Sequence, residues 1–565
     1  MSKKTPAAKK PRGPWLVMLY LAGDSGLTET MVLGLQALID EGAVGEDAIV
    51  AQLDPSGTGL QTSLYDFTRW PDPKPKAPPR GPKGTAQGGA MSPEMRARLQ
   101  QFRVGAIDDQ STGSIESLNQ FICWADDRDK EKRREHGMSR KGMQYLLVLA
   151  GHGSGVTEDF FLRDDAAADG LTIPEFKKAL HKAHRKIGRP IDILGMDACY
   201  MAMAEIAYEL REDVGIVIGA EGLEPEFGWP YARILKAAKQ EYAKTKQHLP
   251  PDSLAKLIVK TYVETYSDFD SAAGRSVDLA AIKPEKLSAL VEPFKKLAKA
   301  LTKKSTDQNK VVLAHWRAQT YKFEQYVDVL DFCNQLLKFF PTTSDVATYS
   351  RAVKDALESP GAAADSRTVL VSGFSGFACQ HSYGLAMYFP WVAVSVDYEN
   401  LEFARATGWH DFLKFHVAET RRERRPGTGG LRRSLKEKTA AKRQGREMLQ
   451  GDFRGVGAPK KLPDNLKRSI GKRVGKASKQ ALDTDVPNAD LATETTRRLG
   501  AFAGLSRYGD KSRYGDKSRY GDKSRYGDKS RYSGNGTRTL SERETIVKNL
   551  PPVIGFGFYP EKPKI

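Results

Sequence analysis

The 565-residue chain contains only four cysteines, far fewer than the dense, paired cysteines of small secreted scaffolds. A disulfide framework is therefore excluded, and each cysteine is judged by its own surroundings. The chain also lacks a long apolar run near its start. Residues 1–14 are basic and contain prolines, and the first apolar run, Trp15–Ala22, is too short for a bilayer span or a typical export signal. We predict a flexible N-terminus over residues 1–14, no membrane segment and a cytoplasmic location.

The net charge of +18 is confined to one part of the chain. Residues 421–545 hold 33 Lys and Arg against 15 Asp and Glu, whereas the rest of the chain holds 55 of each. Apolar residues make up 40% of the chain, which is enough for one large or two ordinary domains. We therefore interpret residues 15–420 as a folded body and residues 421–549 as a basic tail.

The tail contains four consecutive copies of Ser-Arg-Tyr-Gly-Asp-Lys, from Ser506 to Lys529. The repeat has no aliphatic residue, so it offers no hydrophobic face on which repeats stack, and we predict disorder. Its Arg and Tyr side chains are typical of disordered RNA-binding segments, which makes nucleic acid a candidate partner. After the tail, residues 550–565 include an apolar stretch that we expect to dock on the body.

Five short apolar runs, rich in residues that favour strands, alternate with segments of helical period. They are Trp15–Ala22, Ile49–Leu53, Tyr145–Ala150, Ile191–Gly195 and Ile216–Gly219. This order predicts an α/β fold built on a doubly wound, mostly parallel sheet, in which ligands bind at the carboxyl ends of the strands. Residues 70–107, rich in Pro, Gly and Lys, are predicted to form a flexible insertion, and residues 251–358 a mainly helical addition.

Two residues with nucleophile and base chemistry directly follow predicted neighbouring strands. His152 lies in Ala-Gly-His-Gly after one strand, and Cys199 lies in Met-Asp-Ala-Cys after the next. This placement suits a cysteine nucleophile with a histidine acid and base, and the amides of Gly153 and Cys199 are candidate oxyanion donors. A helix predicted from Tyr200 would favour the thiolate through its dipole. The alternatives are an inert buried thiol and a Gly-His-Gly turn, and the spacing alone does not decide between these and catalysis.

A set of short motifs occurs in a fixed order along the chain. The motifs are Tyr20–Asp24, Gln52–Asp54, Ala150–Gly153, Leu171–Glu175, Met196–Cys199, Gly228–Trp229, Tyr383–Leu385 and Tyr388–Pro390. Together they resemble the clostripain family of cysteine peptidases, which belongs to the caspase-like clan. The resemblance covers roughly residues 15–420 and implies a caspase-like fold for this body.

The resemblance implies cleavage of peptide bonds after basic residues, usually Arg, with Cys199 and His152 as the catalytic pair. Asp197 falls where the family places one carboxylate of the acidic S1 pocket, which suits a guanidinium. The family often has a second acid just before Gly228–Trp229, where this chain has Phe227 with Glu226 beside it. A pocket with a single acid is expected to discriminate less between Arg and Lys.

The family also includes zymogens that are cut between the His and Cys strands, which makes Arg163 the candidate processing site. The resemblance therefore implies protein substrates and an upstream activating protease or autoprocessing. We predict no metal site and no cofactor, although some family members respond to calcium. Two other functions stay open: a nucleic-acid-binding regulator acting through the tail, and an inactive caspase-fold interaction module. The tail is also a candidate inhibitor or substrate of the body, or a simple spacer.

Overall fold

The computed structural model describes residues 13–422 and 557–559, apart from residues 25, 56–60, 71–92, 108–110, 157–160, 165–166, 168, 226, 270–275, 322–324, 361–366 and 392. The predictions for residues 1–12, for the repeats of the tail and for Glu226 therefore fall outside the described residues.

The described strands form one large sheet and two small ones. Ten strands make up the large sheet, in the order β15-β13-β10-β9-β8-β5-β1-β2-β3-β4, with a separate sheet β11-β12-β14 and a hairpin β6-β7. The strands are β1 (Trp15–Gly23), β2 (Ala48–Pro55), β3 (Thr62–Asp66), β4 (Arg103–Ile107), β5 (Gln144–Ala150), β6 (Phe161–Asp164), β7 (Asp169–Leu171), β8 (Ile191–Asp197), β9 (Val214–Gly219), β10 (Val277–Ile282), β11 (Thr320–Tyr321), β12 (Tyr326–Asp328), β13 (Val369–Ser375), β14 (Ala386–Tyr388) and β15 (Gly557–Tyr559).

The helices lie between and after these strands. They are α1 (Thr28–Glu41), α2 (Pro93–Gln100), α3 (Ile115–Glu135), α4 (Ile173–Ile187), α5 (Ala204–Glu209), α6 (Tyr231–Thr245), α7 (Pro251–Phe269), α8 (Val291–Leu301), α9 (Gln308–Arg317), α10 (Val329–Phe339), α11 (Asp345–Glu358), α12 (Glu402–Thr407) and α13 (Trp409–Arg422). Short 3₁₀ segments occupy Pro284–Leu290, Phe377–Cys379 and Val396–Asn400. A capping box is present at the start of α4, where Thr172 and Glu175 cap each other's backbone amides.

The five predicted strands form the parallel centre of the sheet, which confirms the α/β fold class. The pairs β9-β8, β8-β5, β5-β1 and β1-β2 are all parallel. Residues of β1 alternate between two core layers: Leu16, Met18 and Tyr20 face the layer containing α3 and α4, whereas Leu19 and Leu21 face the layer containing α1, α6 and α7. This alternation explains the continuous apolar run, because a strand covered on both faces has no polar side.

The chain changes direction across the sheet at β1. It goes from β1 through α1 to β2 on one side, and it returns on the other side of β1 with β5, β8 and β9. Helices α1 and α3 therefore cover opposite faces. A crevice opens at the carboxyl ends of strands at such a switch point, which places the expected site beside the ends of β1 and β5.

One sequence-based prediction is wrong in part. The insertion predicted over residues 70–107 is not wholly irregular, because its second half forms α2 and the strand β4, which pairs antiparallel with β3 and closes that edge of the sheet. The segment over residues 251–358 contains the helices α7 to α11, and its strand β10 pairs antiparallel with β9 and extends the main sheet. The antiparallel strands β11 and β12 directly precede α10. At the far edge, β15 pairs with β13.

Candidate active site

The ends of β5 and β8 bring the two predicted catalytic residues side by side. These strands are parallel neighbours, and their register pairs Ala150 with Asp197. His152 and Cys199 each lie two residues beyond this pair, so they leave the same edge of the sheet from adjacent strands. The Gly151 amide donates to the Asp197 carbonyl at 3.3 Å, which continues the pairing up to the histidine.

Gly153 is the point of closest approach between the two strand ends. A Cβ atom at this position would lie 2.4 Å from the carbonyl oxygen of Cys199 and 3.1 Å from both the Ala198 Cβ and the Met201 Sδ. Such distances exclude any side chain unless the backbone shifts. The glycine after His152 therefore has a steric reason that is independent of its predicted oxyanion role.

The helix expected directly after Cys199 is not there, which corrects the argument that its dipole activates the thiol. Tyr200 has a left-handed backbone with φ of 63°, and α5 begins only at Ala204. The Tyr200 amide donates to the carbonyl of Gly222 at 2.9 Å instead of entering a helix. The apolar run Tyr200–Met203 forms a buried connection, and its apolar character resembled the start of a helix.

The thiol of Cys199 is closed off from solvent. Its residue is 0% exposed and His152 is 5% exposed. The backbone amide of Glu224 donates to Cys199 Sγ at 3.2 Å, so the segment that follows β9 covers the sulfur. This covering segment, residues 221–224, is anchored by Asp278, whose carboxylate accepts the amides of Glu221 at 2.7 Å and Gly222 at 3.0 Å.

Asp197 lies at the inner end of a cleft beside this pair. Its Oδ2 atom accepts the backbone amide of Trp229 at 3.1 Å and the hydroxyl of Tyr231 at 2.8 Å. Gly228, with φ of 63°, passes so close that a Cβ there would lie 2.6 Å from Oδ2. The turn before α6 thus packs its backbone directly on the carboxylate.

The cleft is lined mostly by apolar residues. Asp197 supplies the one carboxylate among its described lining residues. Phe227 stands at the rim and is 64% exposed, while Glu226 lies outside the described residues. The other lining residues come from β1, α1, β5 and the start of α6, and include Leu19, Leu21, Met31, Gly34, Leu35, Gly151 and Tyr231.

Comparison with known proteins gives a family for this arrangement. The model of the clostripain family of peptidases matches residues 138–414, a range that includes β5, β8 and the covering segment. Over these residues the chain belongs to the clostripain family. The region is therefore of the cysteine peptidase class, which confirms the resemblance stated from the sequence motifs. The search of curated proteins found no match.

Solved structures of cysteine proteases are also similar to this clostripain-family chain. A secreted C11 cysteine protease from Bacteroides thetaiotaomicron, bound to an irreversible peptide inhibitor, is 17% identical with a TM-score of 0.48, covering 70% of this chain and 99% of that one. An inactive zymogen C11 protease from Parabacteroides distasonis is 17% identical with a TM-score of 0.45, covering 71% and 99%. Because both scores are below 0.5, the fold rests on the sheet order described above.

Arg163, the predicted processing residue, lies in the segment that follows His152. Arg163 is a partly buried residue of β6, which pairs with β7 as a short hairpin between the two catalytic strands. The amide of its neighbour Leu162 donates to the His152 carbonyl at 3.1 Å. A cut at Arg163 would therefore lie one residue from a direct contact with the histidine. Residues on both sides of this hairpin strand, 157–160 and 165–166, lie outside the described residues.

Three buried carboxyl groups next to the covering segment were not anticipated from the sequence. They belong to Glu221, Asp278 and Asp328, which are separated by at least 50 residues and so leave no local motif. Burial raises the pKa of Asp278 to about 6 and that of Asp328 to about 7. Burial, followed by the charges of Asp328 and Asp278, raises the pKa of Glu221 well above its ordinary value. Neighbouring acids in a dry site hold a proton in common.

The described part of the chain shows neither a metal-binding cluster nor a membrane-spanning helix. No group of three or more His, Cys, Asp or Glu residues there is arranged to hold a metal ion. No helix there is both long and apolar enough to span a membrane. The remaining cysteines, Cys123, Cys333 and Cys379, are buried away from the Cys199 site, on α3, on α10 and beside Asp278 respectively.

Proposed function

We propose that the chain is a cysteine endopeptidase that cleaves proteins after basic residues. The observation that supports this proposal most is the parallel register of β5 and β8, because His152 and Cys199 each lie two residues beyond the paired Ala150 and Asp197, and Asp197 lines the cleft. A nucleophile, a base and a charged specificity pocket at one strand edge are the parts that such a reaction needs.

In the proposed reaction, His152 accepts the proton of the Cys199 thiol, and the thiolate attacks the substrate carbonyl carbon. The amides of Gly153 and Cys199 stabilise the oxyanion that forms. His152 then donates its proton to the leaving amine, which gives an acyl-enzyme that water hydrolyses. Asp197 binds the positively charged end of the P1 side chain, while the apolar walls of the cleft contact its aliphatic part. The mechanism uses protein groups alone, and calcium is a factor to vary in the assay.

The buried thiol supports a latent form that requires activation, and we propose Arg163 as a site of that processing. The Glu224 amide lies on the sulfur, so the covering segment blocks the path of a peptide bond to Cys199. Cleavage between β5 and β8 releases the hairpin that is bonded to the His152 carbonyl, and this change allows the strand-end loops to rearrange. Fragmentation of freshly expressed wild type, but not of Cys199→Ala, indicates autoprocessing, and Arg163→Ala is expected to remove the corresponding fragment. Equal fragmentation of wild type and Cys199→Ala indicates an upstream protease.

The test of the peptidase proposal is turnover of fluorogenic peptides ending in Arg, Lys or Leu. Wild type, Cys199→Ala and His152→Ala are compared with and without limited trypsin treatment and calcium. We expect turnover of the basic peptides by wild type only, and none of the Leu peptide. Absence of Cys199-dependent turnover under all conditions contradicts the proposal. The cytoplasmic location and nucleic-acid binding by the tail remain predictions from the sequence.

A further inference from the structure

The two carboxylate oxygens of Asp197 differ in the hydrogen bonds that they accept. Oδ2 accepts two hydrogen bonds, from the Trp229 amide and the Tyr231 hydroxyl. Oδ1 is buried and has no hydrogen-bond partner among the described residues. A carboxylate oxygen offers about two lone-pair positions, so the donors already in place fill Oδ2 and leave Oδ1 for a ligand.

This difference bears on which cation the cleft accepts. A guanidinium binds a carboxylate most strongly through two parallel N–H bonds, one to each oxygen. An ammonium group is a compact charge that needs only one oxygen. With Oδ2 filled, an Arg side chain loses its second bond to Asp197, whereas a Lys side chain loses nothing.

Tyr231 is held firmly in the position that fills Oδ2. It is the first residue of α6, and its ring packs against Gly34 of α1, where a Cβ would lie 3.3 Å from the Tyr231 ring. Burial, followed by the charge of Asp197, raises its pKa well above the ordinary value, so the hydroxyl keeps its proton and donates. The turn beside it is fixed as well, because the Tyr266 hydroxyl donates to the Gly228 carbonyl.

We propose that Tyr231 is a specificity-determining residue that fills one oxygen of Asp197, so that the pocket takes Lys at P1 about as well as Arg. This inference rests on the proposed peptidase function and deepens it. Phe227 at the rim supplies no second carboxylate to which an Arg guanidinium could donate its second hydrogen bond.

The cleavage test uses two fluorogenic peptides that differ only in Arg or Lys at P1. Wild type is expected to show comparable kcat/KM for both. Tyr231→Phe removes one oxygen atom and frees one lone pair, so the Arg-to-Lys ratio of kcat/KM should rise by about two- to tenfold, the range of one net hydrogen bond. The rise should appear mainly in KM. The control is Tyr242→Phe, which removes a hydroxyl eleven residues further along α6 and should leave the ratio unchanged.

A binding test keeps this inference separate from the question of catalysis. In the Cys199→Ala background, peptides ending in Arg or Lys are titrated with and without Tyr231→Phe, and with Asp197→Asn as the variant that should weaken both. The same shift of the Arg-to-Lys ratio in Kd supports the inference even if wild type shows no turnover. An unchanged ratio in Tyr231→Phe, a strong Arg preference in wild type, or no binding of either peptide overturns it.

Discussion

Two buried acids, Glu221 of the covering segment and Asp328, predict how the stability of the folded chain changes with pH. Glu221 Oε1 accepts the Gly384 amide at 2.6 Å, and its carboxyl group shares a hydrogen bond with the Asp328 carboxylate. Asp328 also accepts the amides of Asp331 and Tyr383, both at 2.7 Å. Asp278 faces Glu221 from β10. The proton between Glu221 and Asp328 is what makes this contact favourable in a dry site.

The pKa of Asp328 in the folded chain is about 7, against 3.8 for the ordinary group. The folded state therefore favours the protonated form of the pair more than the unfolded chain does, and proton binding contributes to the free energy of unfolding. Because the folded state binds the proton more tightly, this contribution is fully present below about pH 4 and is lost as the pH rises through about 7. The folded chain is therefore expected to lose stability between mildly acidic and mildly alkaline pH.

The perturbation is Glu221→Gln, which keeps the shape and places a permanent N–H donor opposite Asp328. Its amide oxygen still accepts from Gly384, and the pair can no longer carry two charges when the shared proton is lost at high pH. We expect the variant to be more stable than wild type by about 1–3 kcal/mol at pH 8.5 and nearly equal to it at pH 5. For a folded body of about 400 residues, that is a rise of Tm by about 1 to 4 °C at the higher pH only.

The assay is thermal unfolding of both proteins across pH 5 to 8.5. Glu285→Gln, at an exposed position, is the control and should follow the wild-type profile. A loss of stability in Glu221→Gln that is equal at every pH would refute the shared proton, because it would show that the glutamate acts only as an ordinary acceptor.

The glycines of the site give two further predictions. Gly153→Ala places a Cβ 2.4 Å from the Cys199 carbonyl and should abolish turnover at a cost of about 1–3 kcal/mol in stability, whereas Gly105→Ala on β4, with ordinary contacts, should leave turnover unchanged. Full activity of Gly153→Ala contradicts the close approach. Gly228→Ala should weaken binding of Arg- and Lys-ended peptides together by displacing Asp197, measured as Kd in the Cys199→Ala background. Unchanged Kd values would contradict this packing.

The central strands of the sheet can be predicted from the apolar pattern of this one sequence. The strands β1, β5 and β8 are continuous apolar runs because both of their faces are covered, and each ends in residues that no buried strand would carry. Gly-His-Gly after β5 and Ala-Cys after β8 therefore predict where the candidate site lies. Position at a strand end, combined with residue chemistry, was the informative signal.

The remaining features depend on contacts between distant segments. The turn at Tyr200 was misread as a helix because an apolar run does not show whether its backbone is helical. The contact over Cys199 is made by a backbone amide, which any residue other than proline at position 224 would supply. The side-chain sequence therefore gives no signal from which this contact could be predicted. The strand β4 was missed because its partly buried residues carry little apolar character, and its pairing with β3 defines it.

The most direct measurement of the central claim is covalent labelling of the site. A peptide ending in Lys and carrying an irreversible thiol-reactive group is incubated with the full chain, with and without limited trypsin treatment, and the adduct is located by mass spectrometry. We predict one adduct, on Cys199, that increases after treatment, is slowed strongly by His152→Ala and is prevented by an excess of a Lys-ended peptide. Labelling of Cys123, Cys333 or Cys379 in preference to Cys199, or labelling of Cys199 that does not depend on His152, would contradict the account.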